Sequence, residues 1–197
     1  MLTRTSTTLL DGLRDPGDRA AWAEFNARYR PPILAVARRL GLQDADAEDV
    51  AQETMAAFVQ AYREDRYARE EGALGQWLRG IARNKVCDAL RKRGREPLPL
   101  ADRTDGTGRL ERIEDPERLD ALWDEEWEKA VLRQCLDEVR REVEPRTFEA
   151  FLLVALRGWP ARRVAEHLQI SEDVVYQAKS RVLARVRELL PQLEKDW

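Results

Sequence analysis

Histidine occurs once in the 197 residues and cysteine twice. A lone His167 excludes a multi-histidine metal centre, and no second ligand cluster accompanies it. Cys87 and Cys135 lie far apart, each inside a helical pattern, and read as reduced, half-buried small hydrophobes. No run approaches the roughly 20 apolar residues of a membrane span. The opening "MLTRTSTTLL" is too short in its apolar part for a signal peptide. We expect a cytoplasmic chain with no membrane insertion. A Gly-rich phosphate loop, G-x-S-x-G and H-E-x-x-H are all missing. The expectation is therefore no enzyme, no catalytic residues, no cofactor and no metal. Val, Ile and Thr never gather into alternating runs, which removes strands and leaves an all-α chain.

What remains is charged, at 36%, against 43% hydrophobic residues. That balance suits one large or two small soluble domains with modest cores. The net charge of -3 hides blocks. From Leu78 to Arg95, Arg79, Arg83, Lys85, Arg91, Lys92, Arg93 and Arg95 face one acid, Asp88. From Glu111 to Glu128 nine acids face two arginines. From Arg157 to Arg187 cations again prevail, seven to three. Two basic segments flanking an acidic one fit a chain that touches polyanion at two places.

Helical spacing runs throughout. Asp18 is a cap candidate for a helix carrying Trp22, Phe25 and Tyr29, which Pro31-Pro32 is expected to interrupt. Ile33, Val36, Ala37 and Leu40 follow, ending at Gly41. Asp44 or Asp46 starts the next helix, to about Tyr62, and a charged loop "REDRYAREEG" follows. The helix "ALGQWLRGIARNKVCDALRKR" offers Leu74, Trp77, Leu78, Ile81 and Leu90 to a core. Between Gly94 and Pro116, Pro, Gly and charges mark a linker. Asp115-Pro116 opens a long helix, Glu144-Pro145 marks its end, and a short helix stops at Gly158. Pro160 begins another, and Ser171 caps the last.

Three constellations carry chemistry. The last two helices, "PARRVAEHL" and the one within "ISEDVVYQAKSRVLARVREL", joined by the turn "QIS", fit a helix-turn-helix. Val164, Ala165, Leu168 and Ile170 can pack on Val174, Val175 and Ala178. At about 100° per residue, Val175, Ala178, Val182, Val186 and Leu189 share one side of the last helix. Tyr176, Gln177, Ser180, Arg181, Ala184 and Arg187 share the other. Gln177 can bond adenine bidentately. Lys179, Arg181, Arg185 and Arg187 suit phosphates, as do Arg162 and Arg163. In "DAEDVAQETMAAFVQAY", Val50, Thr54, Phe58 and Ala61 form one face, and Asp49, Gln52, Glu53, Ala56 and Gln60 an acidic, amide-rich stripe that fits a cationic partner helix. In "WLRGIARNKVCDALRKRGRE" cations, one Asn and one aromatic share a helix that can track a nucleic-acid strand. Each also reads as a solvated helix face when taken alone.

The order and spacing of these segments, across roughly Asp18 to Leu190, resemble the extracytoplasmic-function (ECF) subgroup of bacterial sigma factors. The resemblance implies two small helical domains joined by a flexible acidic linker: domain two over 1–95, the linker over 96–116 and domain four over 117–197. "DAEDVAQETM" resembles the segment that binds core RNA polymerase, which implies that role for Asp49, Gln52 and Glu53. "WLRGIARNKVCDALRKR" resembles the segment that melts and reads the -10 element. It implies base reading by Asn84 and strand holding by Lys85, Arg91 and Arg93. The loop Asp65 to Gly72 matches the one that captures a flipped base. "VAEHLQISEDVVYQAKSRV" resembles the -35 reader, which implies DNA contacts by Tyr176, Gln177, Lys179, Ser180 and Arg181. The linker would run near the path of nascent RNA, and an anti-sigma factor would be a further partner. Gln169 and Asp173 depart from the family's pattern, standing where Gly is usual. Gln169 must then take a left-handed or altered turn. The alternatives are a helix-turn-helix regulator that binds operator DNA without polymerase and a helical adaptor that binds protein alone.

Overall fold

A computed structural model describes residues 6–64, 66, 74–95 and 116–197. The described residues are helical, with no strand among them. They form α1 (Ser6–Arg14), α2 (Arg19–Arg39), α3 (Asp44–Arg63), α4 (Leu74–Arg95), α5 (Pro116–Glu142), α6 (Pro145–Phe151), α7 (Ala161–Leu168) and α8 (Glu172–Asp196). The chain divides into two compact units, Met1–Ala130 with Trp197, and Val131–Asp196. The flipped-base loop and the linker 96–115 lie outside the described residues, apart from Arg66.

In the first unit the Asp18 carboxylate accepts a hydrogen bond from the Ala21 N–H at 3.0 Å and starts α2. The expected break at Pro31-Pro32 does not occur, because both prolines lie inside α2. Each removes one i→i−4 donor. The helix continues because Phe25 and Tyr29 before the pair and Ile33, Val36 and Ala37 after it are buried in one core. α2 stops at Gly41, whose φ of 94° closes the end. Leu42 N–H bonds the Ala37 carbonyl and Gly41 N–H the Arg38 carbonyl, at 3.1 and 2.9 Å.

Phe58 of α3 is fully buried and lies 5.4 Å from the Phe25 ring. Leu74, Leu78, Ala82, Val86 and Leu90 recur every fourth residue in α4 and are all buried. Trp77 and Ile81, expected in the core, are only half-buried at the edge of that stripe. Each large apolar side chain buried in this way stabilises the unit by about 1.5–3 kcal/mol.

The start of α5 also belongs to this unit, which extends to Ala130, inside the helix. Leu119 and Trp123 are each 3% exposed. The Trp127 ring stacks on Tyr29 at 5.7 Å and on Trp123 at 5.6 Å. Gly75 admits Trp127: a Cβ there would lie 2.9 Å from indole Cε2 and closer still to Cζ2.

In the second unit, Pro145 at the first turn and Glu144 before it set the start of α6. Its last turn widens into a π-helical turn, Leu152–Leu156. Phe148, Ala150 and Phe151 are buried. Ala150, Ala161, Val164, Ala165, Leu168, Val175 and Ala178 make one core, with Leu153, Val154, Trp159 and Ile170 at its margin. Val174, expected in that core, is 43% exposed. It lies one residue round the helix from Val175, on the outer side. Cys135 is buried, and burial pushes its thiol above the ordinary range. Both cysteines are free.

Candidate nucleic-acid interface

In the second unit α7 and α8 meet at a turn whose backbone is the unusual part. Gln169 takes φ 53° and ψ 50°, the left-handed region. Ile170 N–H reaches back to the Ala165 carbonyl at 3.0 Å, the closure Gly41 makes at the end of α2. A guanidinium N–H of Arg146 bonds the Leu168 carbonyl and satisfies one more C-terminal acceptor. Ser171 then caps α8, its hydroxyl accepting from Val174 N–H at 3.3 Å.

α8 is thereby fixed with Val175, Ala178, Val182 and Val186 inward. Tyr176, Gln177, Ser180, Arg181, Ala184 and Arg187 are all exposed, and Tyr176 keeps 57% of its surface. Lys179 is half-buried on the flank. The outward face has hydroxyls, an amide, a ring and cations, which are the groups that meet base edges and phosphates.

The flanking cations separate into two groups. Arg162 pairs with Glu166 on its own helix at 3.1 Å, and Arg163 lies 3.8 Å from the Trp159 ring centroid, a cation–π contact. Both remain exposed. Arg185, expected at a phosphate, pairs with two acids in this structure. Its Nε and one Nη donate to both Glu142 oxygens at 2.5 and 3.0 Å, and its other Nη donates to Glu188 at 3.0 Å. Those bonds raise its pKa above the ordinary value and hold Glu142 below its own.

In the first unit α3 buries Val50, Thr54, Phe58 and Ala61 and leaves Asp49, Gln52, Glu53, Ala56 and Gln60 exposed. α4 packs beside it. The two helices are tied by ion pairs that spacing along one helix does not reveal. Lys85 Nζ donates to Glu53 at 2.8 Å, and Arg93 Nε to Asp46 at 2.9 Å. An Arg93 Nη also donates to the Gly41 carbonyl at 3.4 Å. Two of the four cations and amides expected on nucleic acid thus point to α3, while Asn84 and Arg91 are exposed. Arg91 makes a long pair with Asp88, 3.5 Å, one turn back. Gly80, Arg83, Asn84, Cys87, Asp88 and Arg91 line a shallow open concavity on the outer side of α4.

The described residues hold no group of three or more His, Cys, Asp or Glu placed to bind a metal ion. No described helix is long and apolar enough to cross a membrane. Arg79 was not among the expected strand-holding residues. It pairs with Asp120 and Asp124 of α5 at 2.7 and 2.9 Å.

Residues 26–96, most of α2 to the end of α4, match the family model described as Sigma-70 region 2. The chain is 33% identical over 159 residues to the RNA polymerase sigma-H factor of Pseudomonas aeruginosa, covering 76% of this chain and 79% of the relative. It is 29% identical over 185 residues to the ECF RNA polymerase sigma-E factor of Escherichia coli K12, covering 88% and 86%. With the ECF RNA polymerase sigma factor RpoE of Cereibacter sphaeroides the identity is 32% over 91 residues, and the match spans about half of each chain (46% and 49%).

Proposed function

Since the chain belongs to the extracytoplasmic-function sigma factor family, and is therefore a transcription initiation factor, we propose how its two units divide the task. The first binds core RNA polymerase through Asp49, Gln52 and Glu53 and holds the -10 region on α4. The second lays α8 in the major groove of the -35 element. The polymerase supplies the catalysis, so the chain acts by positioning.

One observation carries the reading. The acidic-amide stripe of α3 is exposed directly beside the cationic α4. A regulator that binds operator duplex alone needs neither. In this reading Asn84 reads a base, and Arg91 holds the strand backbone with Lys85 and Arg93. Lys85 and Arg93 must exchange Glu53 and Asp46 for phosphates. Exposed pairs of this kind are worth about 0.2–1 kcal/mol each, so the exchange is inexpensive. Tyr176, Gln177 and Ser180 face -35 bases, while Lys179 and Arg181 position the helix on phosphates. An anti-sigma protein covering the same faces would hold the factor inactive in the cytoplasm.

Run-off transcription with purified core polymerase and a promoter library tests the whole. Initiation at a defined subset of promoters is expected; no initiation together with no core binding overturns the reading. Asp49→Arg should abolish core binding with the helical content unchanged, and unaltered binding would remove the docking role from α3. Gln177→Ala should change -35 preference and spare core binding, with about 1–3 kcal/mol lost at one base position. A uniform loss across all -35 sequences would reduce Gln177 to a backbone contact.

A further inference from the structure

The start of α5 lies on the first unit as a docked acidic helix. Its apolar side is anchored by Leu119, Trp123 and Trp127, the last seated over Gly75 and stacked on Tyr29. Its acids meet cations of the same unit. Arg39 of α2 donates to Glu125 and Glu126 at 2.6 and 2.8 Å. Arg79 of α4 donates to Asp120 through Nε at 2.9 Å and Nη2 at 2.7 Å, and to Asp124 through Nη1 at 2.9 Å. Asp120 and Asp124 are one helical turn apart, about 6 Å along the axis. They present two carboxylates to one guanidinium as successive phosphates would.

Arg79 stands at the edge of the outer face of α4. At 100° per residue it falls about 40° from Arg83, which lines the open concavity together with Asn84 and Arg91. Gly75 and Arg79 therefore lie under α5, while the next positions round the helix are open to solvent.

We propose that the segment Pro116–Ala130 is an internal polyanion mimic. It docks on the α2–α4 surface and competes with single-stranded nucleic acid for Arg79 and the adjoining edge of α4. This rests on the reading of α4 as the strand-holding helix. Strand binding draws Arg79 onto phosphate and releases the acidic segment. Removing the carboxylates, with the apolar anchor kept, strengthens strand binding.

The test uses the full chain and a single-stranded oligothymidine of about 20 nucleotides as probe. Affinity is read by fluorescence anisotropy at low salt, and the state of α5 by amide hydrogen exchange. The variant Asp120→Asn/Asp124→Asn is expected to bind about three- to ten-fold more tightly than the parent, the range set by loss of two half-exposed ion pairs. The control Asp137→Asn/Glu149→Gln removes equal charge at exposed positions of the second unit and should stay within about two-fold of the parent. In the parent, the oligonucleotide should raise exchange over 119–130 while lowering it in α4. Gly75→Leu should raise exchange over 119–130 with no nucleic acid present and leave 148–186 protected.

Equal affinity of parent and Asn variant, an equal gain in the control, or 119–130 still protected in the bound state each overturn the competition. Unchanged protection in Gly75→Leu overturns the anchor. If the oligonucleotide leaves α4 exchange unchanged in every protein, the strand-holding reading of α4 fails and the competition falls with it. That outcome is separable from the others, since in them α4 is protected.

Discussion

Gln169 takes a conformation that a side chain with a Cβ adopts only at a cost. At φ 53° its Cβ crowds the backbone by about 1–2 kcal/mol relative to right-handed geometry, a cost glycine escapes. The turn keeps its closing bonds, so the strain is local. Gln169→Gly should raise unfolding stability by about 0.5–1 kcal/mol, measured by urea denaturation at constant m-value. A loss would mean that the amide side chain contributes more than the strain removes. Thr54 is a second residue with a local cost. It is fully buried in α3, and its hydroxyl has no hydrogen-bond partner among the described residues. Thr54→Val keeps the shape and removes the orphaned group, so a gain of about 1 kcal/mol is expected in the same assay. Both positions were visible in the sequence, Gln169 as an exception in a turn and Thr54 as a polar residue on an apolar face. Their costs depend on backbone angle and on neighbours, which residue type alone does not specify.

At the scale of elements, local chemistry was legible where a cap or a period decides the matter. The Asp18 and Ser171 caps, the Gly41 stop and the two faces of α3 and α8 follow from residue type and spacing. Pro31-Pro32 was misleading because a missing donor weakens a helix locally, whereas burial of Phe25, Tyr29, Ile33 and Val36 acts across both flanks. The partners of the site cations were not legible. Lys85 with Glu53, Arg93 with Asp46 and Arg185 with Glu142 depend on the register between helices distant in sequence. The last of these ties α5 to α8 and yields a pH prediction. Hydrogen bonding from Arg185 lowers the Glu142 pKa below its ordinary 4.5. A carboxylate with a depressed folded pKa stabilises fully above the unfolded value and loses that contribution as pH falls through the folded one. The midpoint of thermal unfolding should therefore be level between about pH 7 and 5 and decline below about 4.5. Glu142→Gln should lower the stability on that plateau by no more than about 1 kcal/mol, given the solvent screening of a pair this exposed, and make the acid-side decline of the midpoint shallower. An unchanged decline would assign acid sensitivity to other carboxylates, such as Glu125 and Glu126 around Arg39 and Lys129.

At the scale of the molecule, the two basic segments and the acidic one between them are legible from charge alone, whereas the core that receives the acidic segment is not. Composition changes at Pro116, so a boundary near 117 was the natural reading; α5 is continuous through Ala130, and nothing in its pattern marks where one unit ends. What decides the boundary is which core receives Leu119, Trp123 and Trp127, a tertiary fact. Truncation separates the two possibilities. Fragments 1–95 and 1–130 both lack Trp197, so they differ by the linker and the start of α5. Burial of Leu119 and Trp123 is worth about 1.5–3 kcal/mol each, and half-burial of Trp127 adds less, before the linker's closure entropy is subtracted. The longer fragment should exceed the shorter by about 3 kcal/mol or more in urea denaturation, with a larger m-value from the added buried surface. Gly75→Leu in the longer fragment should cancel most of that difference. Equal stabilities and equal m-values would return the boundary to 117 and detach the acidic segment from the first unit.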